Sequence, residues 1–350
     1  MDIRDLAVVI VNWNVRDLLL NCLRSLTVAL AATPVSGEIW VVDNASHDGS
    51  VQAVRSHFPA VHLIASPDNL GFGAGNNLAL GALGFRVKGG ELMGIAAEPA
   101  ALIGNVRPLT RNLPRYVLLL NPDTVVREDA IRILVDFMDR HAHVGVCGPR
   151  LIYGDGTFQH AAYAFPTLAQ TLLDFWPLNW RLTDSRLNGR YPKKWYARGE
   201  PFPIDHPLGA AMLFRGEVIE QTGGFDPDYR MYVEEIDWCM RVKQAGWEIY
   251  CVPQAEVVHF EGQSTRQVRP QMTIELWRSR YLLFAKHYSP LYCWAVRQIV
   301  RVGMRNKISQ VMRTVRRGEM AKQDADSLIE AYRQVMTMPM FASERSHASG

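Results

Sequence analysis

Residues 6–14 read LAVVIVNWN and residues 38–46 read EIWVVDNAS, two apolar, β-branched runs that both end in polar residues. Continuous Val, Ile and Leu runs of this kind are typical of strands buried on both faces of a parallel sheet. Between them, residues 15–31 repeat apolar side chains at helical spacing. The order strand, helix, strand predicts the first unit of an α/β fold.

The same alternation continues along the chain. VHLIAS at 61–66 predicts a third strand, the glycine-rich NLGFGAGNN at 69–77 opens a helix, YVLLLNPDT at 116–124 predicts a fourth strand, and 128–141 is helical. This pattern indicates a doubly wound, Rossmann-like α/β sheet. Ligands bind such sheets at the carboxyl ends of the strands, and this sequence has Asn and Asp residues there.

The composition excludes several classes of protein. The chain has 350 residues, of which 48% are hydrophobic, so disordered, collagen-like and disulfide-scaffold proteins are excluded. Its five cysteines include no C-x-x-C pair, so we expect neither a zinc ribbon nor a redox dithiol, and a reducing cytosol fits best. No stretch reaches the roughly 18 uncharged apolar residues of a spanning helix. The N-terminus predicts a strand, not a signal peptide.

Two polar clusters at predicted strand ends are candidates for nucleotide binding. The Asp43 carboxylate can accept the imide N–H of a uracil or thymine ring, although Asn44, Ser46 and Asp48 would equally suit a helix cap. The segment from Gly71 to Gly75 resembles G-x-G-x-x-G but has Asn76 in place of the last glycine, so it is a weak dinucleotide fingerprint. A loop containing Gly71 and Gly73 can still approach a phosphate or a sugar closely.

Three further groups carry acid, base or metal chemistry. Asp123, in Asn121-Pro122-Asp123, can bind a hard divalent ion that bridges diphosphate oxygens, or the segment is only a turn. His259 ends a strand-like segment; a lone histidine is more often structural, but Asp123 needs a partner. Glu234, Glu235 and Asp237 crowd a predicted helix start, where the helix dipole favours acids and where a general base can also lie.

These motifs, in this order, resemble the family 2 glycosyltransferases of GT-A fold. The quoted segments, together with GAAMLFRGEVIEQTGGFDPDYRMYVEEIDWCMRVKQAG and VHFEGQST, extend the resemblance over roughly residues 6–265. LIYGDGTFQHAAYAFPT at 151–167 further resembles the bacterial rhamnosyltransferase branch. The resemblance implies a GT-A-type doubly wound Rossmann-like mixed sheet, to which this chain adds a C-terminal helical extension.

The resemblance also implies roles for individual residues. Asp43 would hold the nucleotide base, Asp123 and His259 would ligate Mg²⁺ or Mn²⁺, and Glu235 would deprotonate the acceptor hydroxyl, with Glu234 as the rival base. The implied donor-binding set is Asn12, Asn14, Asp43, Asn44, Gly71, Gly73, Asn121 and Asp123. Two positions depart from the family pattern: Asn121 replaces the first Asp of the metal motif, and Glu235 replaces the Asp of Glu-Asp. The Q-x-x-R-W motif of processive members is absent, so we expect one or few sugars per encounter.

We expect a catalytic domain at 1–265, a basic helical region at 266–340 and a flexible tail at 341–350. Within the catalytic domain, the Gly-, Ala- and Pro-rich residues 84–115 predict a surface insertion. The aromatic-rich residues 176–206 are either an acceptor-side loop or a long packed connection.

The basic helical region has a strong charge bias. Residues 265–317 carry 12 basic residues against one acidic residue, a balance of +11. An apolar stripe at helical spacing runs from Val296 to Val315, and aromatic residues precede it. A basic amphipathic helix of this kind predicts an anionic membrane surface as partner. The alternatives are a packed helix with a solvated arginine face and, with no recognised motif in support, a nucleic-acid-binding helix.

The sequence as a whole predicts a metal-dependent, inverting glycosyltransferase of cell wall polysaccharide biosynthesis. The expected donor is dTDP-L-rhamnose or a UDP-sugar, and the expected acceptor is a lipid-linked or polysaccharide glycan. We expect a cytoplasmic protein, peripheral on the inner face of the membrane, with no nucleic-acid partner. Two alternatives stay open: a catalytically silent sugar-nucleotide binding subunit, and a nicotinamide-dependent oxidoreductase based on the Gly71–Gly75 loop.

Overall fold

The computed structural model describes residues 5–88, 113–176, 184–260 and 269–340. These residues form two compact units. The first, which we call the sheet unit, contains the described parts of 1–165, 190–230 and 234–264. The second, the helical unit, contains the described parts of 166–189, 231–233 and 265–350. The predicted insertion at 84–115 is described only at its two ends, and the predicted tail at 341–350 lies outside the described residues.

The first half of the sheet unit has the predicted strand–helix alternation. Its elements are β1 (Leu6–Asn12), α1 (Arg16–Ala31), β2 (Gly37–Asn44), α2 (Ser50–His57), β3 (His62–Ser66), α3 (Phe72–Ala82) and β4 (Tyr116–Leu120). β1 lies parallel to both β2 and β4, and every side chain of β1 and β4 is buried. Burial on both faces explains why these strands are continuous apolar runs.

The remaining elements follow in chain order. They are β5 (Thr124–Val126), α4 (Ala130–Arg140), β6 (Val144–Ile152), β7 (Phe158–Gln159), β8 (Ala162–Tyr163), α5 (Leu168–Leu173), α6 (Lys193–Ala197), β9 (Phe202–Pro203), β10 (His206–Pro207), β11 (Ala211–Arg215), α7 (Gly216–Thr222), α8 (Glu234–Gln244), β12 (Glu248–His259), α9 (Arg269–His287), α10 (Pro290–Arg316) and α11 (Lys322–Thr337).

Within the described residues, ten strands form one mixed sheet. Its main order is β3-β2-β1-β4-β11-β6-β12-β5, with β7 paired to β6 and β9 paired to β12. β11 runs antiparallel to β4 and β6, which makes the sheet mixed, as the resemblance implied. β1, β2 and β4 are parallel, so their carboxyl ends reach the same edge. That edge is where such sheets bind ligands.

The described part of the aromatic-rich segment is largely packed. Tyr191, Tyr196 and Phe202 are buried in the core of the sheet unit. The Tyr196 hydroxyl accepts hydrogen bonds from the backbone N–H groups of Ala161 (3.2 Å) and Ala162 (2.8 Å). These three side chains are therefore part of the core of the sheet unit, and a place for this segment beside the acceptor stays a prediction.

The helical unit has its own hydrophobic core, and the predicted membrane stripe forms part of it. Val296, Val300 and Met304 of α10 are fully buried in this core, together with Trp277 and Tyr281 of α9. The prediction that this stripe faces a membrane was therefore wrong, because packing within the helical unit already covers it. None of the helices in the described ranges is long and apolar enough to cross a membrane.

Candidate functional site

The ends of β1 and β2 bring the first two predicted site residues together. Asn12 and Asp43 are register partners in the parallel ladder, and both are buried. Asn12 Nδ2 donates to Asp43 Oδ1 at 2.8 Å, and the backbone N–H of Ser46 donates to Asp43 Oδ2 at 2.9 Å. These two donors fix the plane of the Asp43 carboxylate at the sheet edge.

Asn14 forms two hydrogen bonds to the loop beside the Asp43 carboxylate. Its φ of 53° lies in the left-handed region, which asparagine tolerates better than most residues. Its side-chain oxygen accepts from the backbone N–H of His47 at 2.8 Å, and its own N–H donates to the Ser46 hydroxyl at 2.9 Å. Asn14 therefore joins the loops that follow β1 and β2.

Asn44 anchors the glycine-rich loop and does not cap α2. Asn44 Nδ2 donates to the carbonyl of Gly71 at 3.0 Å. Gly71 has a φ of 83°, and a Cβ there would lie 2.6 Å from the carbonyl oxygen of Arg230. A Cβ on Gly73 would lie 3.3 Å from Cβ of Phe225. The glycines are needed for close packing as well as for any approach to a ligand.

Two buried amide oxygens flank Asp43. Within the described residues, Oδ1 of Asn12 and Oδ1 of Asn44 have no hydrogen-bond partner. A buried acceptor without a donor is costly, so this edge of the sheet is suited to a ligand that brings N–H or O–H groups.

Asp123 and His259 form a second pair. β5 and β12 place Thr124 opposite His259 in register, and the His259 Nε2 atom lies 3.5 Å from Asp123 Oδ1. His259 Nδ1 lies 3.2 Å from the Oε1 atom of Gln159. Since an amide oxygen only accepts, this contact favours the tautomer with the proton on Nδ1 and leaves the Nε2 lone pair directed at Asp123.

This pair fits a divalent cation shared with a ligand. One carboxylate, one imidazole and an outer amide that orients the imidazole are a donor set suited to Mn²⁺ or Mg²⁺. In the part of the chain that the structure describes, no group of three or more His, Cys, Asp or Glu residues could hold a metal. The remaining ligands would therefore have to come from a substrate and water. Asn121, the residue that departs from the family motif, has its backbone N–H bonded to the Ala210 carbonyl at 2.9 Å.

The acidic cluster at the start of α8 divides into two kinds of carboxylate. Asp237 is structural: it accepts from Arg241 Nε at 2.9 Å and from the Tyr229 hydroxyl at 3.3 Å. Glu234 is 4% exposed, and its Oε2 atom has no partner among the described residues. Burial, with the neighbouring Glu235 carboxylate, raises the pKa of Glu234, and burial also raises the pKa of Glu235.

The two glutamates face different parts of the site. A Cβ on Gly73, in the glycine-rich loop, would lie 3.8 Å from Cγ of Glu234. A Cβ on Gly209 would lie 3.6 Å from Cγ of Glu235. Gly209 directly precedes Ala210, whose carbonyl binds the backbone of Asn121. Glu235 therefore lies beside the loop that holds the Asn121–Asp123 turn.

The backbone before α8 is unusual. Tyr232 and Val233 have φ angles of 68° and 59°. The left-handed region is unfavourable for a β-branched residue, and strain of this kind gathers at functional sites. The conformation fixes the direction in which the helix begins and so the direction of Glu234 and Glu235.

Sequence reasoning missed two contributors. Gln159, which contacts His259, lies in the DGTFQ segment that carried the rhamnosyltransferase resemblance, so that segment was the available signal. Gly209 and Ala210 begin the GAAMLFRG segment that carried part of the family resemblance, so that segment was the available signal. Their position beside Asn121 follows from the pairing of β11 with β4, in which Ala211 lies opposite Leu120.

Comparisons with known proteins found relatives in sequence and in fold. The family model described as "Glycosyltransferase like family 2" matches residues 4–275. The N-acetylglucosaminyl-diphospho-decaprenol L-rhamnosyltransferase of Mycobacterium tuberculosis is 30% identical over 289 residues, 81% of this chain and 85% of that protein. The rhamnosyltransferase WbbL of Escherichia coli is 26% identical over 156 residues, 43% of this chain and 54% of that protein.

A solved structure shares the fold. The mannosyltransferase PcManGT from Pyrobaculum calidifontis, in complex with GDP-Man and Mn²⁺, has a TM-score of 0.50 at 16% identity. The match covers 95% of this chain and 83% of that one.

Proposed function

The chain belongs to glycosyltransferase family 2, and from this membership we propose that it transfers L-rhamnose from dTDP-L-rhamnose to a lipid-linked or polysaccharide acceptor. The observation that carries the proposal is the 30% identity, over most of both chains, to a transferase whose name specifies L-rhamnose and a decaprenol-linked acceptor. A UDP-sugar is the alternative donor. Membership in a family of transferases removes the support for a nicotinamide-dependent oxidoreductase. The Asn121 and Glu235 departures leave a silent binding subunit as the alternative, and it predicts donor binding without turnover.

The nucleotide binds in this proposal at the carboxyl ends of β1 and β2. The Asp43 carboxylate, held by Asn12 and Ser46, accepts the imide N–H of the pyrimidine. Thymine and uracil both present this donor, whereas cytosine does not. Asn14 and Asn44 hold the surrounding loops, so we expect their loss to weaken nucleotide affinity without removing it.

Asp123 and His259 would hold the divalent cation, Mg²⁺ or Mn²⁺. When bound, the cation neutralises charge that develops on the departing diphosphate. Gln159 keeps the proton on His259 Nδ1, so that Nε2 stays available. Asn121 adds no charge to this position, and its backbone holds the turn in place.

Glu235 acts as the general base in this proposal. Its carboxylate takes the proton of the acceptor hydroxyl, the acceptor oxygen forms a bond to the anomeric carbon, and the bond from that carbon to the diphosphate oxygen breaks. The electron pair leaves with the diphosphate. Direct displacement inverts the anomeric configuration, and no covalent enzyme intermediate is formed. Because the pKa of Glu235 is raised, it lies closer to neutral pH than that of an exposed glutamate, which suits a general base.

We also propose that the protein works in the cytoplasm as a peripheral protein on the inner face of the membrane. A lipid-linked acceptor has its anchor in a bilayer, and the +11 balance of residues 265–317 suits an anionic surface. Cell wall polysaccharide biosynthesis is the process that this acceptor class indicates.

The test is a donor screen on the full-length protein. dTDP-L-rhamnose, UDP-glucose and UDP-N-acetylglucosamine are each incubated with and without Mn²⁺, and nucleoside diphosphate release is measured with a polyprenyl-diphosphate-linked N-acetylglucosamine acceptor. We expect release from dTDP-L-rhamnose to exceed release from the UDP-sugars and to need the metal. Preference for a UDP-sugar would overturn the rhamnose assignment, and metal-independent release would overturn the role of Asp123 and His259.

A further inference from the structure

The outward face of α10 carries residues that the core of the helical unit does not use. Trp294, Arg301, Arg305, Met312 and Arg316 follow one another at intervals of seven or four residues, so they lie along one line of the helix. We call this line the α10 stripe. Trp294 is 62% exposed and Met312 is 48% exposed. The side chains that α10 buries are on the opposite side of the helix.

The surroundings of the stripe are also apolar and basic. Leu291 is 74% exposed and Val302 is 52% exposed, beside the stripe on the same helix. α10 contains no acidic residue, and its six basic residues are Arg297, Arg301, Arg305, Lys307, Arg313 and Arg316.

The neighbouring helix α11 has three acidic residues against two basic residues, a balance of −1, whereas α10 has a balance of +6. The exposed side chains of α11 include the acids Asp324, Asp326 and Glu330. Positive charge is thus more concentrated on α10 than on α11, and a binding partner of negative charge would favour α10.

We propose that the α10 stripe docks the protein on an anionic lipid bilayer, with α10 lying in the plane of the membrane surface. This inference rests on the proposed membrane location, and it identifies the α10 stripe as the surface that contacts the membrane. An exposed Trp is favoured at the level of the lipid headgroups, and Leu, Val and Met side chains insert among acyl chains. Arginines along the same line contact lipid phosphates.

The mixed character of the face favours a bilayer over a nucleic acid. A nucleic acid offers phosphates for the arginines but no apolar medium for four exposed residues, Leu291, Trp294, Val302 and Met312. An anionic lipid surface satisfies both kinds of side chain at once.

The test is vesicle co-sedimentation of the full-length protein with phosphatidylcholine vesicles, with or without phosphatidylglycerol. The double variant Arg305→Glu/Arg316→Glu changes two exposed stripe residues. The matched control is Lys322→Glu/Arg333→Glu, which changes two exposed residues of α11 and alters net charge equally. Basic residues near an anionic membrane surface each strengthen vesicle binding. We therefore expect the vesicle affinity of the stripe variant to fall by about 30-fold. The control should change affinity by no more than about twofold.

A second variant isolates the apolar contribution. Leu291→Ala/Trp294→Ala removes two highly exposed side chains, so circular dichroism and the melting temperature should stay unchanged. At high salt, where charge attraction is screened, this variant should lose the vesicle binding that the wild type retains. Equal losses for the stripe and control variants would overturn the assignment, because net charge alone would then explain binding.

Two further readouts separate this inference from the proposed function. Nucleoside diphosphate release with a water-soluble acceptor should be equal in all variants, and its absence from the wild type would count against the proposed function, not against the stripe. A fluorescent single-stranded oligonucleotide is the last probe. If the stripe variant lost oligonucleotide binding and kept vesicle binding, the membrane assignment would be wrong.

Discussion

At the scale of single residues, Glu235 and Glu234 have different environments and should respond differently to the same change. Glu235→Gln keeps the shape of the side chain but removes its ability to accept a proton. Loss of a general base costs about 10²–10⁴-fold in rate, so kcat should fall by that order while nucleotide affinity stays nearly constant. The measurement is steady-state kinetics beside dTDP titration calorimetry. A larger kcat loss in Glu234→Gln would move the base by one residue.

The pH dependence follows from the direction of the pKa shift. Burial raises the pKa of Glu235, and the base works only when deprotonated. Activity should therefore decline as pH falls through the neutral range, well above the pH at which an exposed glutamate titrates. In Glu235→Asp, which restores the usual family residue, the profile should keep this form. A rate that stays constant down to pH 5 would contradict the assignment.

Glu234 should also limit stability. Burial and the Glu235 charge raise its pKa in the folded state. The folded state then favours the protonated form, so stability is greatest at low pH and is lost as pH rises through the folded pKa. Glu234→Gln removes this loss, and its melting temperature should exceed that of the wild type at alkaline pH and match it near pH 5. Thermal unfolding at the two pH values tests this.

Asp123, His259 and Gln159 can be separated by metal titration. Asp123→Ala should abolish Mn²⁺-dependent dTDP affinity, and His259→Ala should weaken it. Gln159 does not ligate in this arrangement but orients His259, and loss of such a partner typically costs 10–100-fold in metal affinity. Gln159→Glu keeps a hydrogen-bond acceptor beside His259 Nδ1, so it should retain the Mn²⁺ affinity that Gln159→Leu loses.

Unchanged Mn²⁺ dependence of dTDP affinity in Asp123→Ala would exclude the metal site.

At the scale of elements, the strands and helices up to residue 141, except the short strand β5, could be predicted because each has an apolar pattern of one period. The ends of β1 and β2, and with them Asn12 and Asp43, follow from that pattern. The antiparallel insertion of β11 between β4 and β6 could not be predicted, because it depends on contacts between residues far apart in sequence. The apolar stripe from Val296 to Val315 was misassigned for a related reason: a core face and a membrane face have the same periodicity.

The glycine-rich loop allows a matched test at this scale. Gly71 and Gly156 have φ angles of 83° and 82°, but a Cβ meets the Arg230 carbonyl only at Gly71, whereas nothing lies within 4 Å at Gly156. Gly156→Ala should cost about 1 kcal/mol from backbone strain alone. Gly71→Ala should cost about 3 kcal/mol, since the ψ of 179° at Gly71 lies in a region that essentially only glycine occupies and overpacking adds to that strain, and it should also weaken dTDP binding. Denaturant unfolding and calorimetry measure the two effects, and equal costs would show that the close approach to Arg230 is unimportant.

At the scale of the whole molecule, the helical unit is assembled from separated parts of the chain. Phe175, just after α5, stacks on Trp277 of α9 with ring centroids 5.5 Å apart and rests against Gly303 of α10. The hydroxyls of Tyr288 and Tyr292 both donate to the Pro166 carbonyl, at 2.7 and 3.1 Å. Residues 166–176 therefore depend on helices that begin about a hundred residues later. The predicted domain boundary at residue 265 assigned these residues to the catalytic domain and so missed this dependence.

Truncation tests this dependence. A chain that ends at residue 265 loses every helical partner of Phe175 and leaves a large aromatic side chain exposed. We expect this chain to aggregate and to be cleaved by protease within 166–189, because an unpacked segment of that length opens to solvent. A chain that ends at residue 340 keeps α9, α10 and α11 and should resist the protease like the full-length protein. Limited proteolysis with mass spectrometry locates the cuts. If the shorter chain stayed monomeric and uncut at 166–189, the core of the helical unit would not need α9 and α10 to hold this segment, and the discontinuous unit would be refuted.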